Sequence, residues 1–125
     1  MNLKERHYVS TKYHKMHPGM LSKYARAIRA RVKKMAIIYP ASILSDKLDS
    51  EPAFRQMINE YNMTYAVYYL EKNKESFLAL SIERGRILDF LDDVANLANT
   101  IADGNPAVIK SFGFYPKKIM KNYIL

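Results

Sequence analysis

The sequence predicts an all-α protein: a small antiparallel helical bundle of three main helices plus a short C-terminal helix, with basic terminal arms. Three observations predict it. Apolar residues recur at helical spacing through three stretches, and the connections between those stretches are short and marked by Pro, Gly and Asn. The chain has 125 residues, of which 49% are apolar. That is enough to bury one core in one domain of ordinary size. No internal repeat is visible and nothing reads as a convincing sheet. A strand could hide only at Ala36–Tyr39 or Tyr65–Leu70.

Residues 1–20 lack a clear period, hold His7, His14 and His17, and close on Pro18-Gly19, a turn signal. They are expected to form an arm. The first helix follows, with Leu21, Tyr24, Ile28, Val32, Met35 and Tyr39 recurring every three or four residues. Ser22 is the expected N-cap, and Pro40 ends the pattern because proline disfavours helical geometry in the residue before it. The opposite face is strongly basic: Lys23, Arg26, Arg29, Lys33 and Lys34. Residues 41–50 form a connection with room for one helical turn at Ile43–Lys47. A second helix is predicted from Asp49 or Ser50, with Glu51 and Pro52 in its first turn, where an acid suits the helix dipole and proline lacks no needed donor. Its stripe runs Phe54, Met57, Ile58, Tyr61, Tyr65, Tyr68 until Glu71-Lys72-Asn73-Lys74 breaks it.

The third helix is the longest. Leu80, Arg84, Ile87, Leu91, Val94, Ala98 and Ile101 alternate steps of three and four, the seam of a helix packed against near-antiparallel neighbours. Phe77, Ser81, Leu88 and Ala95 widen it. An arginine in that seam must pack its stem and send its head to water, or pair with Glu60 or Glu71. Gly85 costs about 1 kcal/mol in a helix interior and is expected to admit a close helix approach beside Ser81. Gly104 stops the helix. Asn105-Pro106 reads as an N-cap and first residue of a short helix to about Phe112. Gly113 at C′ should take a positive φ, with Phe114 touching Ile109. The division is therefore a basic arm at 1–20, a bundle at 21–114 and a basic tail at 115–125, the tail open to strand, short helix or arm.

The long helix with Arg84 and Leu88, the run Asn96 to Ile109 through Asp103-Gly104-Asn105-Pro106, and Ser111-Phe112-Gly113-Phe114 followed by Lys117 together resemble a family of helical-bundle domains of uncharacterised role from Bacteroidota, and from their phages. The resemblance covers about Tyr65 to Lys118, and the basic first 35 residues lie outside it. In the look-alikes the Gly-Phe ending often leads into a β-sandwich module, whereas eleven residues follow Phe114 here. The resemblance implies a structural or adaptor module with no catalytic residues to carry over.

Charge divides the chain more sharply than its net +8. Residues 1–35 sum to +9, residues 36–105 to −5 and residues 106–125 to +4. Basic ends around an acidic middle mark segments that contact an acidic partner, or that lie on the protein's own acidic surface. The absence of cysteine excludes disulfides, thiolate zinc sites and a cysteine nucleophile. No stretch reaches the apolar length of a membrane span and no signal peptide is visible, so the expected location is the cytoplasm or the inside of a virus particle, with no membrane contact.

Enzyme chemistry finds little support. There is no Gly-x-Ser-x-Gly elbow and no glycine-rich phosphate loop among four glycines. His14 and His17 stand three residues apart, but flanking lysines and missing carboxylates argue for solvated histidines over a metal shell. Asp89, Asp92 and Asp93 read as a wet helix face. No catalytic, metal or cofactor site is expected. The remaining signal is cations interleaved with tyrosines, including Tyr8, Tyr13 and Tyr24. The candidate contact residues are Arg6, Lys12, Lys15, Arg26, Arg29, Lys33, Lys34, Lys117 and Lys118. The leading expectation is a non-enzymatic structural or adaptor protein that works through a protein partner or self-association in a larger assembly, with a phage virion as one setting. The alternative is a small nucleic-acid-binding protein using residues 1–35, whose cations neutralise phosphates while tyrosines stack on bases.

Overall fold

In the computed structural model the described residues are 6–39 and 51–119, and they form an α-helical bundle closed by a two-stranded sheet. The order is β1 (Arg6–Val9), a 3₁₀ turn (Lys12–Lys15), α1 (Pro18–Ile38), α2 (Glu51–Glu71), α3 (Lys74–Ala102), α4 (Pro106–Ser111) and β2 (Pro116–Ile119). Pro40, the turn at Ile43–Lys47 and the starts at Asp49 and Ser50 lie outside the described residues, as does the tail beyond Ile119.

The bundle follows the apolar periods. Leu21, Ile28, Val32 and Met35 of α1, Phe54, Ile58 and Tyr61 of α2, and Leu80, Ile87, Leu91, Val94 and Ala98 of α3 are buried together. Phe54 stacks on Phe90 with ring centroids 3.8 Å apart. Ser22 donates to Asn62 at 2.6 Å and His17 meets Tyr65 at 3.1 Å, so rising numbers on α1 face falling numbers on α2 and the pair is antiparallel. Lys72, with φ 49°, and the N-cap Asn73 turn the chain between α2 and α3. Ser81 and Phe77 stay exposed rather than widening the core. A Cβ on Gly85 would meet nothing within 4 Å, so that glycine admits no close helix approach.

Two expectations are corrected at the basic ends. Residues 6–17 are not a free arm, and the sheet absent from the sequence reading is made from both ends of the chain. Strand β1 pairs antiparallel with β2, from Arg6 opposite Ile119 to Val9 opposite Pro116. The pairing is fixed by further bonds: Ser10 N donates to Tyr115 O at 2.8 Å, His7 N to Gly104 O at 3.1 Å, and Val9 N to the Asn99 side chain at 2.8 Å. Four-residue strands have too few side chains to show a period, which is why neither was visible. The segments named as hidden strands are helical at 36–38 and 65–70. Helix α1 also starts earlier than expected. Pro18 and Gly19 are its first turn, and His17 is the N-cap, its Nδ1 accepting from Gly19 N at 3.2 Å. Ser22 is buried inside the helix instead of capping it.

The C-terminal corner keeps its expected form. Asn105 caps α4 by accepting from Ala107 N at 2.9 Å. Gly113 takes φ 93° and donates to Lys110 O at 2.9 Å, while Ile109, Phe112 and Phe114 enter the core.

Candidate functional site

The first site is built where the 3₁₀ turn lands on α3. Tyr13 is 1% exposed, and its hydroxyl donates to Asp92 Oδ1 at 2.6 Å. The same oxygen is 2.8 Å from His14 Nε2. Burial, followed by the hydrogen bond to Asp92, pushes the Tyr13 hydroxyl far above its ordinary value. Arg84 fastens the other side of the turn. Its guanidinium donates to His14 O at 2.8 Å and to Tyr61 Oη at 3.2 Å, where a head sent to water or an ion pair with Glu60 or Glu71 was the expectation. The aspartate face on α3 is therefore engaged rather than merely wet: Asp92 serves two donors. The histidine pair diverges, His14 toward Asp92 and His17 toward Tyr65. Among the described residues, no group of three or more candidate ligands is placed to hold a metal ion.

The tyrosines expected to stack on bases are largely stacked on one another. Tyr24 lies between Tyr13 at 5.6 Å and Tyr115 at 6.3 Å, with interplanar angles of 23° and 10°. Tyr13 is sealed inside this ladder, Tyr8 is half-buried, and Tyr115 is its exposed end. Burial raises the Tyr24 hydroxyl as well.

The candidate cations do not converge on one surface. Arg6 pairs with Asp103 at 2.8 Å at the β1 edge. Lys12 and Lys15 are exposed on the 3₁₀ turn, Lys117 and Lys118 are exposed on β2, and Lys33 and Lys34 are exposed near the far end of α1. At 1.5 Å per residue, Lys34 lies about 24 Å along α1 from Pro18. Arg26 and Arg29 turn instead toward α2, where they share a cavity of about 240 Å³ with Arg55, Ile58 and Asn59. Sequence reasoning missed Arg55 because its partners come from another helix. The i, i+4 spacing of Arg55 and Asn59 was the one local sign.

A third feature lies at the tip of the α2–α3 hairpin. Met63, Val67, Tyr69 and Leu70 on α2 and Phe77, Leu78 and Ile82 on α3 are exposed, Leu70 by 82%. All lie within about three turns of Lys72-Asn73. Beside them runs an aromatic groove of about 580 Å³, lined by Tyr65, Tyr68, Tyr69, Phe77 and Arg84 among others. This surface went unnoticed because the core stripe drew the reading. Met63, Val67 and Leu70 form a second stripe at i, i+4, i+7 on the opposite side of the same helix. No helix among the described residues is long and apolar enough to cross a membrane. No family model, no curated protein and no solved structure matches the chain.

Proposed function

We propose that this is a structural protein that acts by association, joining a second copy of itself through the tip of the α2–α3 hairpin. The observation that carries the reading is the seven large apolar side chains exposed within that tip. Single exposed apolar residues are ordinary, but seven large ones within about three turns of one hairpin tip, with charged residues at its turn, favour an interface reading. The choice of a second copy rests on charge. The tip is bordered by Glu71, Lys72, Lys74 and Glu75, two acids and two bases, on a chain whose net charge is +8. Two such chains repel elsewhere and meet at least electrostatic cost where the local charge cancels. An isologous contact also lets the acids of one copy face the bases of the other. The resemblance of Tyr65 to Lys118 to bundle domains of Bacteroidota and their phages supports a repeating assembly, such as a virus particle, as the setting.

Nucleic acid remains the second reading, favoured by the basic helix α1 and by the arginine cavity beside it.

Sedimentation velocity across the micromolar range tests the first reading. The unmodified chain is expected to show mass-action association, and Leu70→Glu and Leu78→Glu to sediment as monomers with unchanged circular dichroism. A chain that stays monomeric throughout, or variants that associate as well as the parent, would overturn it.

A further inference from the structure

We propose that the side of the molecule formed by α1 and the chain from α4 to β2 binds single-stranded nucleic acid, with Tyr115 as the platform on which a base stacks. The sequence prepares this side by segregating charge. Among the described residues, β1, the 3₁₀ turn, α1, α4 and β2 contain no aspartate or glutamate, while α2, α3 and the turn after α3 carry the acids. Exposed Lys23, Ala27, Ala30 and Lys34 follow one another at steps of four, three and four, so they form one stripe along α1, with exposed Arg31 at its edge. The C-terminal corner packs alongside. A Cβ on Gly113 would lie 3.3 Å from Arg31 Cγ, and Tyr115 stacks on Tyr24. Residues 113–115 therefore run antiparallel to α1, from Arg31 back to Tyr24. With them comes exposed Lys110, whose carbonyl accepts from Gly113 N at 2.9 Å. The Ser10–Tyr115 bond continues the strand pairing to Tyr115, so Lys117, two residues on, projects to the same side. Of the candidate contact residues, Lys34 and Lys117 belong to this surface, and Lys23, Arg31 and Lys110 join them.

The chemistry selects the ligand. Tyr13, Tyr24 and Tyr115 form a ladder whose last ring is 67% exposed and lies within 10° of parallel to the ring behind it. An unpaired base is the flat surface that continues such a stack, and every base has a π-face to offer, so the contact tolerates any sequence. The cations around the ring neutralise phosphates and release their counterions. From Lys23 to Lys34 the stripe is about 16 Å long, enough to follow several phosphates of one strand. A duplex keeps its bases stacked inside and leaves the ring of Tyr115 unused, and so does a run of carboxylates on an acidic protein. This surface gives the nucleic-acid reading its place. It does not rest on the hairpin-tip contact, because the length of α3, about 40 Å, separates that tip from α4.

Fluorescence anisotropy of the full chain tests this, with a labelled oligothymidylate of about twelve nucleotides as the probe and a duplex of equal length and poly-glutamate as comparisons. Saturable binding to the single strand is expected, with a log–log salt slope of about −3, the value for four neutralised phosphates. Arg31→Gln and Lys34→Gln are each expected to weaken binding by about threefold to tenfold and to make the slope shallower by about 0.7. Tyr115→Ala is expected to weaken binding by about tenfold at every salt concentration with the slope unchanged. Tyr115→Phe keeps the ring and is expected to bind as the parent does. Lys74→Gln, at the hairpin tip, is the control and is expected to change affinity less than about twofold. Leu70→Glu is expected to bind the strand as the parent does, so loss of self-association and loss of this site are read separately. Three results would overturn the proposal: no saturable binding, unchanged affinity in Tyr115→Ala, or duplex or poly-glutamate bound as tightly as the strand. The last would leave only attraction of polyanions to a basic surface.

Discussion

Gly85 stands near the middle of α3 with open space where its side chain would begin. It has no positive φ to justify it, so its main effect is to leave the helix with extra freedom in the unfolded chain. Gly85→Ala is expected to raise stability by about 0.5–1 kcal/mol, read as an increased urea midpoint at unchanged slope. A loss of stability would show that another surface approaches the helix at that point. The contrast with Gly113 is instructive. There φ is 93° and a Cβ would lie 3.0 Å from Ile28 Cδ1. Gly113 and Asn105 were legible in the sequence because capping is a contract between neighbours a few residues apart. The partners of Arg84 were not, because one is a backbone carbonyl 70 residues earlier in the chain. A carbonyl has no residue type to betray it.

At the scale of elements, the long helices were readable from their periods, and the two strands and the 3₁₀ turn were not. The turn is held by tertiary bonds from Asp92 and Arg84, and β1 is held by Asn99 and by β2. None of these supports is local. The basic character of residues 6–17 pointed to an arm, yet Val9 and Tyr13 are buried in the core. Deleting residues 1–17 is therefore expected to destabilise the bundle. Burial of an apolar side chain is worth about 1.5–3 kcal/mol, and two such side chains are lost along with the strand pairing. Thermal unfolding checks this: a truncated chain that melts with the parent would restore the arm. The same result governs any binding assay on such a truncation, where lost affinity has to be separated from lost fold by comparison with Lys12→Gln and Lys15→Gln, which leave the core intact.

Across the whole molecule, tyrosine burial is expected to limit alkaline stability. Burial raises Tyr13, Tyr24 and Tyr61, and at Tyr61 the nearby Arg84 opposes part of that rise. Each is neutral in the fold at pH values where it ionises in the unfolded chain, whose tyrosines titrate near 10. A folded value raised above the unfolded one gives stability that is whole below about pH 10 and is lost as pH climbs toward the folded value. The urea midpoint is therefore expected to be level from about pH 8 to 9.5 and to fall beyond pH 10, with a shallower fall in Tyr13→Phe. An equal fall in the phenylalanine variant would assign the effect to other groups. The all-α bundle itself was legible from composition and period, because every long helix has one buried face. The three surfaces described as candidates were less so. The arginine cavity and the hairpin tip depend on which helices are neighbours, and the tyrosine ladder depends on the chain returning from residue 115 to residue 24.

The pairing of β1 with β2 joins positions more than a hundred residues apart. Closing a loop of that length removes chain entropy on the order of 4–5 kcal/mol, and the four register pairs gained recover it only once α1, α3 and α4 already hold the two strands side by side. The sheet is thus expected to close after the helices have assembled and to open first, which amide hydrogen exchange in β1 and β2 would read. A covalent bond between Arg6 and Ile119 positions would hold it shut through the unfolded state, a role that disulfides fill in other small proteins and that this cysteine-free chain leaves to hydrogen bonds and the packing of Val9 and Phe114.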